Sequence, residues 1–215
     1  IPKAQAVRGG AAAQATNYAV GGATTGTGSQ SSWYDLPNLQ QQVTDYFAAP
    51  SPSLGSRPLF AMWAGGNDMR DAIMANQSGL ELKTTALDAA RNIKNEIKRL
   101  HEAVASARGD YFLWPNLPPL ELLPEFRSLS ATRKNEIKEA VDLFNSFQNT
   151  MIGDLRSIFG TSIHVIKFDV LGAMRDVWNN PAQYGIDPAN QEWAVIESSF
   201  SGVSFSASAN WPSPD

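Results

Sequence analysis

Three short apolar runs, separated from one another by long amphipathic stretches, constrain the fold of this chain more than any other feature. They lie at residues 59–64, 111–114 and 162–170. The first run, LFAMWA, ends at Gly65 and Gly66 and has the pattern of a strand that is buried on both faces of a parallel sheet. The order strand, helix, strand, helix, strand predicts an α/β domain with a parallel sheet.

Helical spacing of apolar residues predicts three helices. The first has Pro37 in its first turn and buries the stripe Leu36, Leu39, Val43 and Phe47. The second runs from about residue 80 to 107 and stops at Gly109. The third has Ser130 as its N-cap and buries the stripe Ile137, Val141, Phe144, Met151, Leu155 and Ile158.

The length of the chain predicts one domain over residues 1–215, because a domain typically holds roughly 150 residues and no linker or internal repeat divides this sequence. A chain of this length buries about 70% of the surface that it exposes when unfolded, which is enough for a core without disulfides. The absence of cysteine excludes thiol nucleophiles and cysteine-ligated metal sites.

The charge balance argues against a nucleic-acid partner. The sequence has 17 Lys and Arg residues against 21 Asp and Glu residues, whereas a nucleic-acid-binding domain carries a basic face. Glutamates interleave with the basic residues, which is typical of solvated helix faces. No apolar run approaches the roughly 18 residues of a membrane span, and the first residues lack the apolar core of a signal peptide. We therefore expect no transmembrane segment and no nucleic-acid partner.

Two glycine-rich segments are the candidates for chemistry. One is NYAVGGATT at residues 17–25, and the other is WAGGND at residues 63–68, directly after the first predicted strand. Ligand sites in open α/β sheets form beyond the carboxyl ends of the strands, and Asn67 lies there. The alternative is purely structural: the glycines form a tight turn, and Asn67 or Asp68 caps the helix that follows.

These segments, in this order, resemble the sequence blocks of the GDSL/SGNH hydrolases, a family of serine lipases and esterases. NYAVGGATT is similar to the family's second block, in which a glycine donates a backbone N–H to the oxyanion; by resemblance that glycine is Gly22. AGGND is similar to the third block, in which an asparagine side chain is another donor; by resemblance it is Asn67. GDYFLWPNLPPLELLP is similar to the family's strand and proline-rich turn, and Phe144 and Asn145 lie where a Phe-Asn pair recurs in a long helix of the family. Residues 168–186 resemble a late segment that is typical of the lipase-like bacterial and fungal branch.

The resemblance implies a three-layer α/β/α sandwich with a parallel sheet, flavodoxin-like in its arrangement. It also implies a carboxylic-ester hydrolase that works by serine acyl transfer on a small ester substrate, either a lipid or an acetylated carbohydrate, without cofactor or metal. Secretion or a cell-surface location is a further implication of the family. Preorganised donors, here Gly22 and Asn67, would stabilise the negative oxygen of the tetrahedral intermediate.

The blocks that hold the family's nucleophile and base are not in this sequence. The Gly-Asp pairs are followed by Tyr111 and Leu155 rather than serine, and no aspartate is followed three residues later by histidine. We expect the chain to be the central portion of an esterase without its first strand, which leaves an unpaired place in the sheet. Two alternatives stay open: a catalytically inactive module for binding or assembly, and a site completed by a complementary fragment or a partner chain.

The remaining candidates favour structural roles. His101 lies in a predicted helix and His164 in a predicted strand, so neither is expected to be the base, and histidines this far apart make a poor metal site. Asp68 and Asp71 are expected to favour a helix start rather than to bind metal. PNLPPLELLP is expected to be a packed turn rather than a ligand for a proline-recognition domain. Trp33, Trp63 and Trp114 could line an acyl or sugar pocket. Core packing is the favoured role for most of the six tryptophans.

Overall fold

A three-stranded parallel sheet lies at the centre of the described structure. The computed structural model describes residues 17–26, 36–48, 58–104 and 110–186. The strands, in their order across the sheet, are β1 (Leu59–Ala61), β2 (Asp110–Pro115) and β3 (Ile163–Phe168). Both pairings are parallel, and the register places Phe112 of β2 between Phe60 and Val165.

The helices of the described residues alternate with these strands. They are α1 (Leu39–Ala48), α2 (Gly66–Met74), α3 (Gly79–Val104), α4 (Ala131–Phe159) and α5 (Val170–Asn179). Helices α2 and α3 connect β1 to β2, α4 connects β2 to β3, and α5 follows β3. This alternation around a parallel sheet confirms the α/β, SGNH-like fold class that the sequence predicts.

The core lies where α3 and α4 pack against each other and against the sheet. Phe112 and Trp114 of β2 are fully buried on one face, because alternate residues of a strand point to the same side. They share one apolar cluster with the helix stripes, whose fully buried members include Ile93, Ile97, Ile137, Val141 and Phe144. Burial of each such side chain contributes about 1.5–3 kcal/mol. Trp114 is a core residue.

The first strand is shorter and more exposed than its sequence predicts. The strand covers only Leu59–Ala61 of the apolar run at residues 59–64, and Leu59 is 60% exposed. The prediction that this run is buried on both faces is wrong. The physical reason is that β1 lies at the edge of the described sheet, with β2 on one side and no described strand on the other.

Helix α1 begins two residues after the predicted first turn. The side-chain oxygen of Asn38 accepts a hydrogen bond from the backbone N–H of Gln41 at 2.9 Å, which is the N-cap arrangement. Pro37 and Leu36 therefore precede the helix instead of belonging to it. Phe47, which the stripe predicts as buried, is exposed.

Helix α4 starts where the sequence predicts, but the last residue of its predicted buried face is exposed. The hydroxyl of Ser130 accepts from the backbone N–H of Arg133 at 3.2 Å, so the predicted N-cap is confirmed. Ile158 is exposed rather than buried, because it lies in the last turn of α4, beyond the packed cluster. The predicted end of α3 at Gly109 lies outside the described residues.

The segments after β2 and β3 are both folded back onto the domain. In the proline-rich segment Leu117 and Leu120 are buried, which confirms the prediction of a packed turn. After β3 the chain forms α5, which the helical spacing did not predict, and the carboxylate of Asp169 caps it by accepting from Gly172 N–H at 3.1 Å. None of the helices in the described ranges combines the length and the hydropathy that a membrane crossing requires.

Candidate active site

The two glycine-rich segments of the sequence meet in space. The side-chain amide of Asn67 donates a hydrogen bond to the backbone carbonyl of Ala23 at 2.8 Å. The next residue, Asp68, accepts from Thr25, so two consecutive residues of α2 bind the segment at residues 17–26. The sequence separates the bonded residues by more than forty positions, and the fold brings them together beyond the carboxyl end of β1.

Gly65 makes this arrangement possible because it turns the chain from β1 into α2. Its φ angle is +100°, a left-handed conformation that residues with a side chain rarely adopt. A Cβ atom at this position would lie only 3.0 Å from Cε2 of the buried Phe144. The turn therefore needs glycine both for its conformation and for its close approach to α4.

The structural alternative for this turn is confirmed in one part, the tight turn at Gly65, and wrong in the other, which placed Asn67 or Asp68 at the N-cap. Gly65 is the N-cap residue of α2, and no side chain makes the cap hydrogen bond. Asn67 and Asp68 both reach away from their own helix to the segment at residues 17–26. Their side chains therefore fix a tertiary contact, and the Asp68 carboxylate also accepts from its own backbone N–H in the first turn of α2.

Asp68 is a buried carboxylate that organises the second contact. Its Oδ1 accepts from the hydroxyl of Thr25 at 2.7 Å, and its carboxylate also accepts from the Thr25 backbone N–H at 3.1 Å. Asn92 of α3 donates to the same hydroxyl at 3.1 Å, which extends the network to a third element. Burial raises the pKa of Asp68 above its ordinary value, and the hydrogen bonds from Thr25 oppose that rise.

Gly22 lies in a tight turn that precedes this contact. The turn closes with a hydrogen bond from Ala23 N–H to the Val20 carbonyl at 3.3 Å, and Gly22 has a φ angle of +84°. A Cβ atom at Gly22 would lie 3.1 Å from Cδ1 of Leu36. Among the described residues no acceptor takes the Gly22 N–H.

Gly22 and Asn67 line one groove of about 610 Å³. The groove runs along the outer edge of β1, between α1 and the segment at residues 17–24. Its volume is within the range of small-molecule sites, which is about 300–1,000 Å³. Most of its side chains are apolar, and the larger ones from α1, β1 and the residues after β1 are Leu39, Val43, Tyr46, Leu59, Phe60, Met62 and Trp63.

Trp63 lies in this groove with a fixed orientation although its side chain is 61% exposed. Its indole Nε1–H donates to the backbone carbonyl of Asn116 at 3.2 Å. The Asn116 side chain in turn donates to Asp169 at 2.7 Å and accepts from Leu171 N–H at 2.9 Å. The hydrogen bond from Asn116 lowers the pKa of the Asp169 carboxyl. An exposed aromatic ring is thereby held at the carboxyl ends of the strands.

The sequence analysis predicts neither the hydrogen bonds of Asp68 with Thr25 nor those of Asn116 with Trp63 and Asp169. Asn116 directly follows β2, and the strand-end rule that selected Asn67 also selects it. The partnership of Asp68 with Thr25 has no comparable signal, since nothing in the sequence indicates which hydroxyl a buried carboxylate meets.

The other predicted candidates lie elsewhere. His164 is half-buried on β3 and stacks on Tyr111, with 4.5 Å between the ring centres. His101 is buried near the end of α3. Trp33 lies outside the described residues. The His, Asp and Glu side chains of the described ranges form no group of three or more that could hold a metal ion.

Comparison with known proteins agrees with the motifs. The family model described as GDSL-like Lipase/Acylhydrolase matches residues 2–210, which is nearly the whole chain. A search of curated proteins found no match. The family hydrolyses ester bonds, and its model covers both the segment with Gly22 and the turn with Asn67. This chain therefore belongs to the GDSL-like lipase and acylhydrolase family.

Proposed function

We propose that this protein hydrolyses carboxylic esters by acyl transfer to a serine, with the backbone N–H of Gly22 and the side-chain amide of Asn67 as oxyanion donors. The observation that carries the proposal is the hydrogen bond of 2.8 Å from Asn67 Nδ2 to the Ala23 carbonyl. It holds the amide beside the residue that follows Gly22. Two donors on neighbouring parts of one groove suit an oxygen that becomes negative during the reaction.

The number of hydrogen-bond donors on the Asn67 side chain supports its role as an oxyanion donor. A side-chain amide has two N–H groups, and the Ala23 carbonyl takes one of them. The second N–H is available to an oxyanion, while the first keeps the amide oriented. A donor that is already oriented needs no reorganisation when charge develops, which makes its stabilisation of the transition state large.

The reaction also needs a nucleophilic serine and a histidine base beside these donors. We propose that an extended segment carrying the nucleophile pairs with the free edge of β1, which no described strand occupies. The groove along that edge supports this proposal because it is lined by apolar side chains of α1 and β1. Six residues of such a strand span roughly 20 Å and end near the Asn67 turn.

The direct test is Asn67→Ala in the native polypeptide. We expect kcat for a short p-nitrophenyl ester to fall by about 10²–10³, with little change in KM, because the lost donor acts in the transition state. Asn135→Ala is the matched control, since Asn135 is exposed on α4 and bonds only to Glu139 there. Circular dichroism checks that both variants fold.

Unchanged turnover in folded Asn67→Ala would overturn the assignment of Asn67. A chain-length series of p-nitrophenyl esters then separates the two substrate classes. A preference for long acyl chains supports a lipid ester, and a preference for acetate supports an acetylated carbohydrate. No turnover of any ester by the native polypeptide supports the alternative of an inactive binding module.

A further inference from the structure

A serine, a histidine and an aspartate form a continuous hydrogen-bonded chain away from the candidate active site. Nδ1 of His101 lies 2.8 Å from Oδ2 of Asp110, and Nε2 of the same ring lies 3.1 Å from Oγ of Ser162. The order of atoms is the one that activates a serine in nucleophilic catalysis: hydroxyl, imidazole, carboxylate.

This chain of groups lies at the amino edge of the sheet. Asp110 is the first residue of β2 and pairs in register with Ile163, the first residue of β3. Ser162 directly precedes β3, whereas Asn67 lies beyond the carboxyl end of β1. Strand β2 has six residues, and at about 3.3 Å per residue it separates the two edges by roughly 17 Å. The constellation is therefore distinct from the Asn67 turn, and none of its three residues lines the groove, although the groove extends to Leu100 beside His101.

Burial differs along the chain in the way that a reactive serine requires. Asp110 is 0% exposed and His101 is buried, whereas Ser162 is exposed to solvent. The ring of Phe159 packs edge-on against the imidazole, with 4.5 Å between the ring centres. A carboxylate at Nδ1 holds the proton on that nitrogen, and the lone pair of Nε2 then points to the hydroxyl.

The hydroxyl of Ser162 has one proton and two acceptors within reach. The Phe159 carbonyl is 2.7 Å away, and Nε2 of His101 is 3.1 Å away. Rotation about the Cβ–Oγ bond moves the proton from the carbonyl to Nε2 without moving the oxygen. In the second orientation the imidazole can take the proton as the oxygen attacks.

We propose that Ser162 is a second nucleophile, with His101 as its base and Asp110 as a positioning residue, and that it accepts acyl or phosphonyl groups from small activated esters. The serine oxygen bonds to the carbonyl carbon while its proton passes to Nε2. The bond to the leaving alcohol then breaks, and the alcohol takes the proton from Nε2. The products are acylated Ser162, free alcohol and neutral His101. With a fluorophosphonate, the P–O bond forms and fluoride leaves with the proton.

The test is labelling of the folded protein with a small fluorophosphonate, followed by digestion and mass spectrometry of the peptides. We expect an adduct on the peptide that contains Ser162, and its loss in Ser162→Ala. Ser157→Ala is the matched control, because Ser157 is also exposed and lies on α4, whereas Nε2 of His101 bonds to Ser162. This control variant keeps the adduct. Absence of label on Ser162, or label only on other serines, would overturn the proposal.

The base is tested by the rate of labelling. His101→Gln is expected to slow labelling of Ser162 by about 10² or more, because general-base catalysis typically contributes 10²–10⁴. Asp110→Asn should slow it too and change its pH profile, which a merely structural aspartate would not do. If these buried variants do not fold, the pH dependence of labelling in the unmodified protein tests the role of His101. A labelling rate that rises with pH supports the proposal, and a rate independent of pH overturns it.

Discussion

Asn67 and Ala23 are joined by a hydrogen bond of 2.8 Å from the side-chain amide of one to the backbone carbonyl of the other. The adjacent Asp68 makes the parallel contact with Thr25. Two consecutive side chains of the first turn of α2 therefore hold the segment that contains Gly22. The positions of both proposed oxyanion donors depend on this pair of contacts.

Thr25→Val is predicted to loosen this segment. The hydroxyl of Thr25 donates to Asp68 and accepts from Asn92, and the residue is fully buried. Valine has a similar shape but leaves both partners without that bond, so we expect the free energy of unfolding to fall by about 1–3 kcal/mol. Denaturant unfolding of both proteins measures this difference in free energy. Thr84→Val, at an exposed position of α3, is the control and should change stability by less than about 0.5 kcal/mol.

The raised pKa of Asp68 predicts a pH-dependent stability. Because burial raises the folded-state pKa above the unfolded value of about 3.9, the folded protein binds a proton more readily between the two values. The contribution of Asp68 is fully present below about pH 4 and is lost as the pH rises through the folded pKa. Subtracting the unfolding free energy of Asp68→Asn isolates this term across the pH series. A difference that grows in favour of the unmodified protein with rising pH would contradict the assignment.

Gly65→Ala tests the turn that positions Asn67. The φ angle of +100° and the distance of 3.0 Å from a Cβ atom to Phe144 both oppose a side chain here. We expect a loss of about 1–3 kcal/mol in unfolding free energy. Gly153→Ala is the control, since Gly153 is helical and its Cβ would have nothing within 4 Å. That substitution should stabilise the protein by about 0.5–1 kcal/mol, and similar effects at both positions would count against the strained turn.

The order of elements could be predicted from the sequence because strands and helices differ in the period of their apolar residues. The run at β2 is buried as this pattern implies, whereas β3 is buried at Ile163 and Val165 and exposes Ile166 and Phe168. Ser130 caps α4 through a purely local bond. The exposure of Leu59 does not follow from the sequence, because an apolar run has the same pattern whether or not a second strand lies beside it. Helix α5 was missed because it is short, interrupted by Gly172, and buries only Val170.

The sequence likewise indicates some residues of the candidate site but not the contacts between them. Resemblance to the family's sequence blocks indicates Gly22 and Asn67, and the position of Asn67 after a strand indicates it independently. The contact of Asp68 with Thr25 could not be predicted, since it depends on tertiary structure that brings together residues 43 positions apart. The same holds for Ser162 and His101, which are 61 positions apart and meet only because β2 and β3 are neighbours.

Ser130→Ala is predicted to weaken the start of α4. The serine hydroxyl satisfies the Arg133 backbone N–H, one of the donors that a helix leaves unpaired at its start. Loss of this cap should lower the unfolding free energy by about 1 kcal/mol. The midpoint of thermal unfolding reports it. Ser128→Ala lies two residues earlier at an exposed position outside the helix and should leave the midpoint unchanged; equal shifts in the two variants would contradict the capping role.

Trp63→Ala is predicted to change substrate preference in the native polypeptide, and this prediction depends on the proposed function. The indole is 61% exposed, lines the groove with Asn67 and is held by its bond to the Asn116 carbonyl. Burying an apolar acyl chain against it contributes roughly 25 cal/mol per Å², so kcat/KM for long-chain p-nitrophenyl esters should fall about tenfold while that for acetate stays nearly constant. Leu80→Ala, an exposed apolar residue of α3 that does not line the groove, is the control. Because Trp63→Phe keeps an apolar ring but loses the N–H, it separates contact from orientation. An equal loss for every chain length would exclude contact between Trp63 and the acyl group.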